Sequence, residues 1–422
     1  LRRRAGRRIV SVLVAVLGCL AVAGCLTGCG AHRPVGNRIS GRTLTIYASL
    51  PFNGASSISG RSVLGGAELA VDSVHRRIGR YRIVLRALDD STAKRGGWDP
   101  GQTTVNAHAA IANRTTIGYI GEYNSGASAV SIPLLNLAGI PQISPSSTAI
   151  GLTAAGPATD PGEPQKYYPT QRRTFARVVP NDSVQAAVQV DLQREVGCRR
   201  TYVLNDGEVD GRDAAMSFVT AAESARLRIV GDIQFEPAAS DYSSLARAVA
   251  QTRADCVLIS ALTESHAVLL TEQIAHALPD ARLFGDAGLA ETTYTDPQLG
   301  GIPLSLDSRL LITVATLGAQ DYPSAGRRFL SLYAGRYGAP QPYAIYGYAA
   351  TSLLLDAISR ATRRGTIDAT RSGVLAAILS THDLASVLGT YSIDSSGDTS
   401  QRRYGVYRVQ GGQLVFWKAM SA

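Results

Sequence analysis

Several signatures of common chemistry are missing from this chain. No G-x-x-x-x-G-K-[ST] is present and no G-x-G-x-x-G follows a strand, so a nucleotide would find no phosphate cradle. No G-x-S-x-G elbow occurs; Ser125 sits in Asn-Ser-Gly-Ala, which lacks the first glycine at the required spacing. The six histidines are scattered, with no H-E-x-x-H and no Cys/His pairing, which argues against a zinc site. His266 and His276 lie about three helical turns apart, too far to share an ion. Nothing in the pattern asks for a metal or a cofactor. Aromatic residues make up only 6% of the 422, and methionine and tryptophan occur twice each. The formal charge of +9 falls to +4 once Arg2, Arg3, Arg4, Arg7 and Arg8 are set aside. No dense basic tract interleaved with aromatics remains, so nucleic acid is a poor partner. Against these absences stand 42 glycines and 45% hydrophobic residues, the composition of a turn-rich α/β protein long enough for two or more domains.

The N-terminus reads as an export signal. The five arginines precede an apolar stretch, residues 9–23, interrupted only by Ser11, Gly18 and Cys19. That run is short and glycine-broken for a stable membrane span; an uncleaved membrane anchor, the alternative, would leave the topology unchanged. It ends in Leu26-Thr27-Gly28-Cys29, which resembles the lipobox of bacterial lipoproteins, where the cysteine becomes the acylated N-terminus. Val22-Ala23-Gly24-Cys25 fits the same pattern; Leu26 at the third position before the cysteine favours Cys29. The resemblance implies residues 1–29 as signal, residues 30–42 as a tether, and a protein lipid-anchored on the extracytoplasmic face of the cell membrane.

The stretch 116–148 organises the rest of the chain. An apolar run of strand length leads into Asn124-Ser125-Gly126 and then a helical spacing, Val130, Leu134, Leu135, Leu137. A second short strand, 140–143, breaks at Ser144-Pro145-Ser146-Ser147-Thr148. Ser125, Ser146, Ser147 and Thr148 thus sit at strand ends, where ligands of parallel sheets dock. Hydroxyls beside the free N–H groups of a helix start suit a carboxylate or another small anion; alternatively they are only caps and turn formers. Strands at 43–50 and 81–88 and helices beginning near Leu64 and Gln102 complete a first β/α array. Residues 151–173, with four prolines, read as a long surface loop. A second array then begins: a helix through Val184, Val188, Leu192 and Val196 with Asp182 as its N-cap, a strand at 201–204, and a helix from about Asp213. Strands at 229–235, 257–260, 282–285 and 309–316 come next, with helices at 242–251, about 264–278, 329–337 and 346–361. The chain closes in antiparallel strands with Gly411-Gly412 at a hairpin tip.

Export leaves two cysteines beyond the signal, Cys198 and Cys256. Each precedes a strand-like run. If those strands are neighbours the sulfurs meet at one sheet edge, and an oxidising compartment permits a disulfide there. Its distance limits lie beyond the sequence.

In order along the chain, IGYIGEYNSGASA…GIPQISPSSTAIGLT, TFARVVPNDSVQAA, residues 197–206, FGDAGLAE, YAIYGYAATSLLLDAI and GTYSIDSSGDT resemble the type I extracytoplasmic solute-binding proteins of the branched-chain amino-acid (Leu/Ile/Val) and amide transport class. The resemblance spans residues 43–416. It implies an α/β fold of two Rossmann-like lobes with parallel central sheets, joined by a three-segment hinge and closing on a ligand. Lobe 1 would comprise 43–177 and 320–388, lobe 2 residues 178–319 and 389–418. It further implies that Ser125, Ser146 and Thr148 hold a ligand's carboxylate and ammonium, with Tyr123, Asn124 and Tyr343 lining the same wall. In lobe 2 the pattern departs: Asp210-Gly211 stands where relatives carry Tyr-Gly, Leu262 replaces an aromatic, and the acid that meets the ammonium falls at Ala287, with Asp286 one place earlier. Ser59 stands where some relatives place an aromatic. Asp210 and Asp286 are the acids available for the counter-charge.

The expectation is a non-enzymatic, lipid-anchored receptor, monomeric as suits a clamp, that delivers a small polar solute to the permease subunits of an ABC importer. A scaffold lipoprotein with the same fold is the alternative, motivated by the changed lobe 2 and the 151–173 loop. An exported hydrolase lacks a nucleophile motif.

Overall fold

A computed structural model describes residues 37–422. The export signal, both candidate acylation cysteines (Cys25 and Cys29) and the start of the tether lie outside them. Two sheets carry the described chain. The first runs, edge to edge, Arg77–Ile78, Tyr81–Asp89, Thr43–Leu50, Thr116–Ile120, Gln142–Ser144 and Phe175–Arg177, parallel except for the short edge strand. The second runs Ile229–Gln234, Thr201–Asn205, Cys256–Ser260, Arg282–Gly285 and Leu310–Val314 in parallel, then Arg403–Gln410 and Gln413–Ser421 antiparallel. In each parallel array the chain winds outward both ways from its first strand. That reversal opens a crevice beyond the carboxyl ends of the strands flanking it. Each lobe therefore has one such crevice, and the two face each other.

Alternation along the strands explains the layers. Leu44, Ile46, Ala48 and Leu50 enter one core, while Tyr47 joins Ala107, Tyr119 and Leu135 on the opposite face. Helix Ser57–Ser73 packs on helix Ala344–Ala361, and the crossing demands glycine. A Cβ on Gly66 would stand 2.1 Å from the Ala344 carbonyl, and one on Gly347 would stand 2.2 Å from that of Val63. Cys198 and Cys256 form a disulfide with Cα atoms 5.8 Å apart, at the N-terminal edge of neighbouring strands Thr201–Asn205 and Cys256–Ser260.

The chain crosses between the two halves in three passages, after strand Phe175–Arg177, after strand Leu310–Val314 and before strand Arg403–Gln410. Arg177, fully buried, ties two passages together. Its Nε donates to Asp398 at 2.6 Å, and its Nη1 donates to the carbonyls of Ser147 (3.1 Å) and Ala149 (2.7 Å). Asn181 Nδ2 and Thr153 Oγ1 complete the set on Asp398 at 3.0 Å each. Burial pushes the Asp398 carboxyl up, but the Arg177 charge and these donors outweigh it and hold it below the ordinary range. Tyr346 donates to the Ala315 carbonyl and Tyr404 to that of Pro180, pinning the passages to the lobes.

Several expectations need correction. The ribbon of Leu384–Ser386 with Gly389–Tyr391 straddles the expected 388/389 boundary, so the third passage comes after it; the last strand also runs on to Ser421, past 418. Asn181, not Asp182, caps helix Asp182–Glu195, its side chain accepting from Ser183 N–H, while Asp182 is buried. The 151–173 segment is not a simple surface loop: Tyr167 and Tyr168 pack against Ile132, Leu152 and Phe175. The helix expected from Glu264 begins at Val268, after an irregular turn in which His266 takes a left-handed φ of 53°. The helix expected from Asp213 begins at Val209, which proves decisive for the site.

Candidate functional site

The first lobe offers hydroxyls and backbone at its crevice. Ser125 opens helix Ser125–Leu137, and its Oγ accepts the N–H groups of Thr148 (3.1 Å) and Ala149 (3.2 Å). One strand end is thereby stitched to the next. Ser146 donates to the Tyr123 carbonyl at 2.7 Å, fixing the loop that carries Tyr123. Tyr343, at the start of helix Ala344–Ala361, meets the Tyr123 ring edge-on at 5.7 Å between centroids.

The second lobe offers acids. Because its helix starts at Val209, Asp210 sits in the first turn and points across the cleft. Gly211 makes the placement possible, since a Cβ there would lie 2.3 Å from Asp206 Oδ1 and 2.5 Å from the Ser260 carbonyl. Asp210 Oδ1 accepts from Ser125 Oγ at 2.9 Å and from Thr148 Oγ1 at 3.2 Å. Two flanking ion pairs dock the same turn: Arg95 with Glu208 at 2.9 Å and Arg212 with Asp160 at 2.8 Å. Glu291, before the short helix Thr292–Thr295, accepts from Tyr123 Oη at 2.9 Å and from Ser59 Oγ at 2.5 Å.

Between these walls lies a cavity of about 20 Å³, bounded by Ser56, Tyr123, Asn124, Ser146, Thr148 and Tyr343 on one side. Asp210, Leu262, Ala287, Gly288 and Glu291 bound it on the other. That is room for about one water, so a solute of several heavy atoms enters only as the lobes part. No lysine or arginine lines the cavity among the described residues. A larger open groove, about 650 Å³, runs between Gly54–Ala55 and the turn carrying Glu264 and His266, but none of the strand-end hydroxyls line it.

Burial dominates the titration of these acids. It raises Asp210, opposed by the Ser125 and Thr148 donors, and raises Glu291 to about 7, opposed by Ser59 and Tyr123. Asp286 is driven well above the carboxylate range, by burial first and then by the neighbouring Asp210 charge.

Of the residues singled out from sequence, Tyr123, Asn124, Ser146, Thr148, Asp210 and Tyr343 line one cavity, and Ser125 anchors it from behind. Asp286 does not line it: its oxygens are engaged by Ser260 Oγ (2.5 Å) and the Gly288 N–H (3.0 Å). Glu291 stands in the place sought for Asp286. Sequence reasoning misses it although it ends the FGDAGLAE stretch, because the tight turn at Ala287–Leu289 carries the chain back to the cleft only after Asp286.

The family model described as "Periplasmic binding protein" matches residues 43–413. The chain belongs to the periplasmic binding protein family. This periplasmic binding protein is 21% identical, over 378 residues, to the Leu/Ile/Val-binding protein BraC3 of Rhizobium johnstonii, an alignment covering 88% of this chain and 93% of that protein. Among solved structures, the leucine binding protein LivK from Thermotoga maritima superposes with a TM-score of 0.75 at 21% identity, over 90% of this chain and 99% of that one. The branched-chain amino acid transporter substrate binding protein LivJ from Streptococcus pneumoniae, in complex with isoleucine, gives 0.73 at 18% identity, over 90% and 100%. The family is one of solute-binding proteins, and these likenesses show the type I fold.

Proposed function

We propose that this protein is the extracytoplasmic receptor of an ABC importer, binding a small polar solute, amino-acid-like or amide-like, between two closing lobes. One observation carries the reading: side chains from the crevices of both sheets converge on a single cavity, with hydroxyls on one wall and carboxylates on the other. In this reading Ser125, Thr148, Tyr123, Asn124, Ser146 and Tyr343 hold the solute from lobe 1, and Asp210 and Glu291 from lobe 2. The protein performs no chemistry on its ligand, works as a monomer, and hands the solute to permease subunits in the membrane. Lipid on Cys29 anchors it at the outer face. Family membership supports the transport role, and no helix of the described residues is long and apolar enough to cross a membrane. A solute that binds the closed form better than the open one drives closure.

The scaffold reading draws on one observation, the small cavity already bridged by Asp210. Thermal unfolding of the purified protein with a library of amino acids, amides, amines and small carboxylates separates the two. A ligand-specific rise in midpoint is expected, as linkage requires. A flat response from folded protein overturns the receptor reading.

A further inference from the structure

The hydroxyl pair that would take a ligand's carboxylate is already satisfied from within the protein. Ser125 Oγ and Thr148 Oγ1 both donate to one oxygen of Asp210. The opposite wall is acidic as well, since Glu291 accepts from Ser59 and Tyr123. The nearby cations are committed elsewhere: Arg177 to Asp398 and two carbonyls, Arg95 to Glu208, Arg212 to Asp160. A second, independent observation concerns what the lining still lacks. Asn124 Oδ1 and Tyr343 Oη, on side chains 5% and 3% exposed, have no hydrogen-bond partner. Asn124 Oδ1 can only accept, and a buried acceptor without a donor is costly. The cavity therefore offers carboxylates, a free acceptor in Asn124 Oδ1 and, in the Tyr343 hydroxyl, a group that can donate or accept, a lining that suits N–H groups.

Resting on the receptor reading above, we propose that the solute is an organic cation without a carboxylate, a primary amine or amidinium held between Asp210 and Glu291, with Asp210 of the protein standing where an amino acid's own carboxylate would lie. An α-amino acid would bring its carboxylate against Asp210, a like-charge contact in a water-poor cleft. A cation offsets the charge of these acids, by one unit for a monoamine or amidinium and by two for a diamine, and supplies N–H groups to Asn124. No three acidic, histidine or cysteine side chains converge as metal ligands among the described residues, which favours an organic cation over a metal ion.

Proton linkage gives an added readout. The acids facing the site are Asp210 and Glu291, with Asp182, Asp286 and Glu264 buried behind them and the Tyr123 and Tyr343 phenols beside them; all seven groups are raised by burial. A cation that pairs with ionised Glu291 releases its proton when it binds below about pH 7, so its affinity rises with pH toward 8.

The test is calorimetric titration of the wild-type protein with leucine, isopentylamine, isovalerate and putrescine. The first three all carry an isobutyl group, bearing an ammonium and a carboxylate in leucine, an ammonium alone in isopentylamine and a carboxylate alone in isovalerate. We expect isopentylamine or putrescine to bind, with leucine at least about tenfold weaker, isovalerate silent, and amine affinity increasing from pH 6 to pH 8, each about tenfold corresponding to 1.4 kcal/mol. Asp210→Ala should weaken the amine at least about tenfold and admit leucine to the vacated hydroxyls; Asp210→Asn, which keeps the volume, should weaken the amine without admitting leucine. Leucine binding the wild type as tightly as isopentylamine overturns the proposal and leaves the receptor reading standing. So does a library hit outside the amines with all four probes silent. A flat response to the entire library overturns both.

Discussion

The two crevice walls are built by different means. The first-lobe wall is prearranged within its own lobe: Ser125 accepts two N–H groups from the neighbouring strand end, Ser146 fixes the Tyr123 carbonyl, and Ser144 receives the N–H groups of Ser146 and Ser147. Those contacts persist whatever the second lobe does. The second-lobe wall consists of acids whose partners lie across the cleft, Asp210 on Ser125 and Thr148, Glu291 on Ser59 and Tyr123. Opening the lobes removes those partners and hydrates the carboxylates. One wall is held from within its own lobe, and the other is held by contacts across the cleft.

The difference between the walls has measurable consequences. The largest effect is expected at the hinge, where Arg177→Met leaves Asp398 without its cation; a loss of roughly 3–5 kcal/mol in urea unfolding is expected. A loss below about 1 kcal/mol would mean that the other donors suffice to hold the hinge. Next comes the disulfide at the far edge of the second lobe. Closing a loop of 58 residues restrains the unfolded chain, so Cys198→Ser with Cys256→Ser should cost roughly 2–4 kcal/mol. Solute response in the same titrations should survive, because the bridge lies at the opposite strand ends from the site.

The pH dependence distinguishes the walls directly. Glu291 titrates at about 7 in the folded protein and near 4.3 unfolded. Its folded value is raised, so its contribution is fully present below about pH 4.3 and disappears as pH climbs through 7. Without solute, stability should therefore fall between pH 5 and pH 8, by roughly 2–3 kcal/mol from this group. Glu291→Gln should flatten that part of the profile, and an unchanged slope would assign it to other buried acids such as Glu122 and Glu264, also raised. Smaller again, Ser125→Ala strands the N–H groups of Thr148 and Ala149 and should cost roughly 1–2 kcal/mol. The smallest effect belongs to Arg95→Ala on the partly exposed pair with Glu208, at most about 1 kcal/mol and suppressed by salt. A larger or salt-insensitive loss would mark that pair as a true latch of closure.

The first wall is legible in the sequence because its information is local. A strand, a serine at the next helix start and a second serine-rich strand end all lie within residues 116–148, and parallel-sheet topology brings adjacent strand ends together. The second wall is legible only in part. Asp210 stands out as an acid out of pattern, but the spacing places its helix four residues late, because Glu208 at the cap position makes no side-chain cap bond and carries no sequence signal. Asp286 attracts attention before Glu291, since only the Ala287–Leu289 turn decides which of them faces the cleft. Tyr167 and Tyr168 fall in a stretch that reads as a surface loop, because proline-rich composition says nothing about what a loop packs against.

The two β/α arrays, the closing hairpin at Gly411-Gly412, the candidate cysteine pair and the hydroxyls of the first crevice can all be read along the chain. Each of these arises from periodicity, turn chemistry or neighbouring strand ends, all within reach of a short stretch of chain. Only the tertiary structure decided which acids oppose those hydroxyls and how little space remains between them. Asp210 meets Ser125 across 85 residues and Glu291 meets Ser59 across 232, and such pairings are set by where the hinge brings two separately packed sheets, which no local pattern encodes.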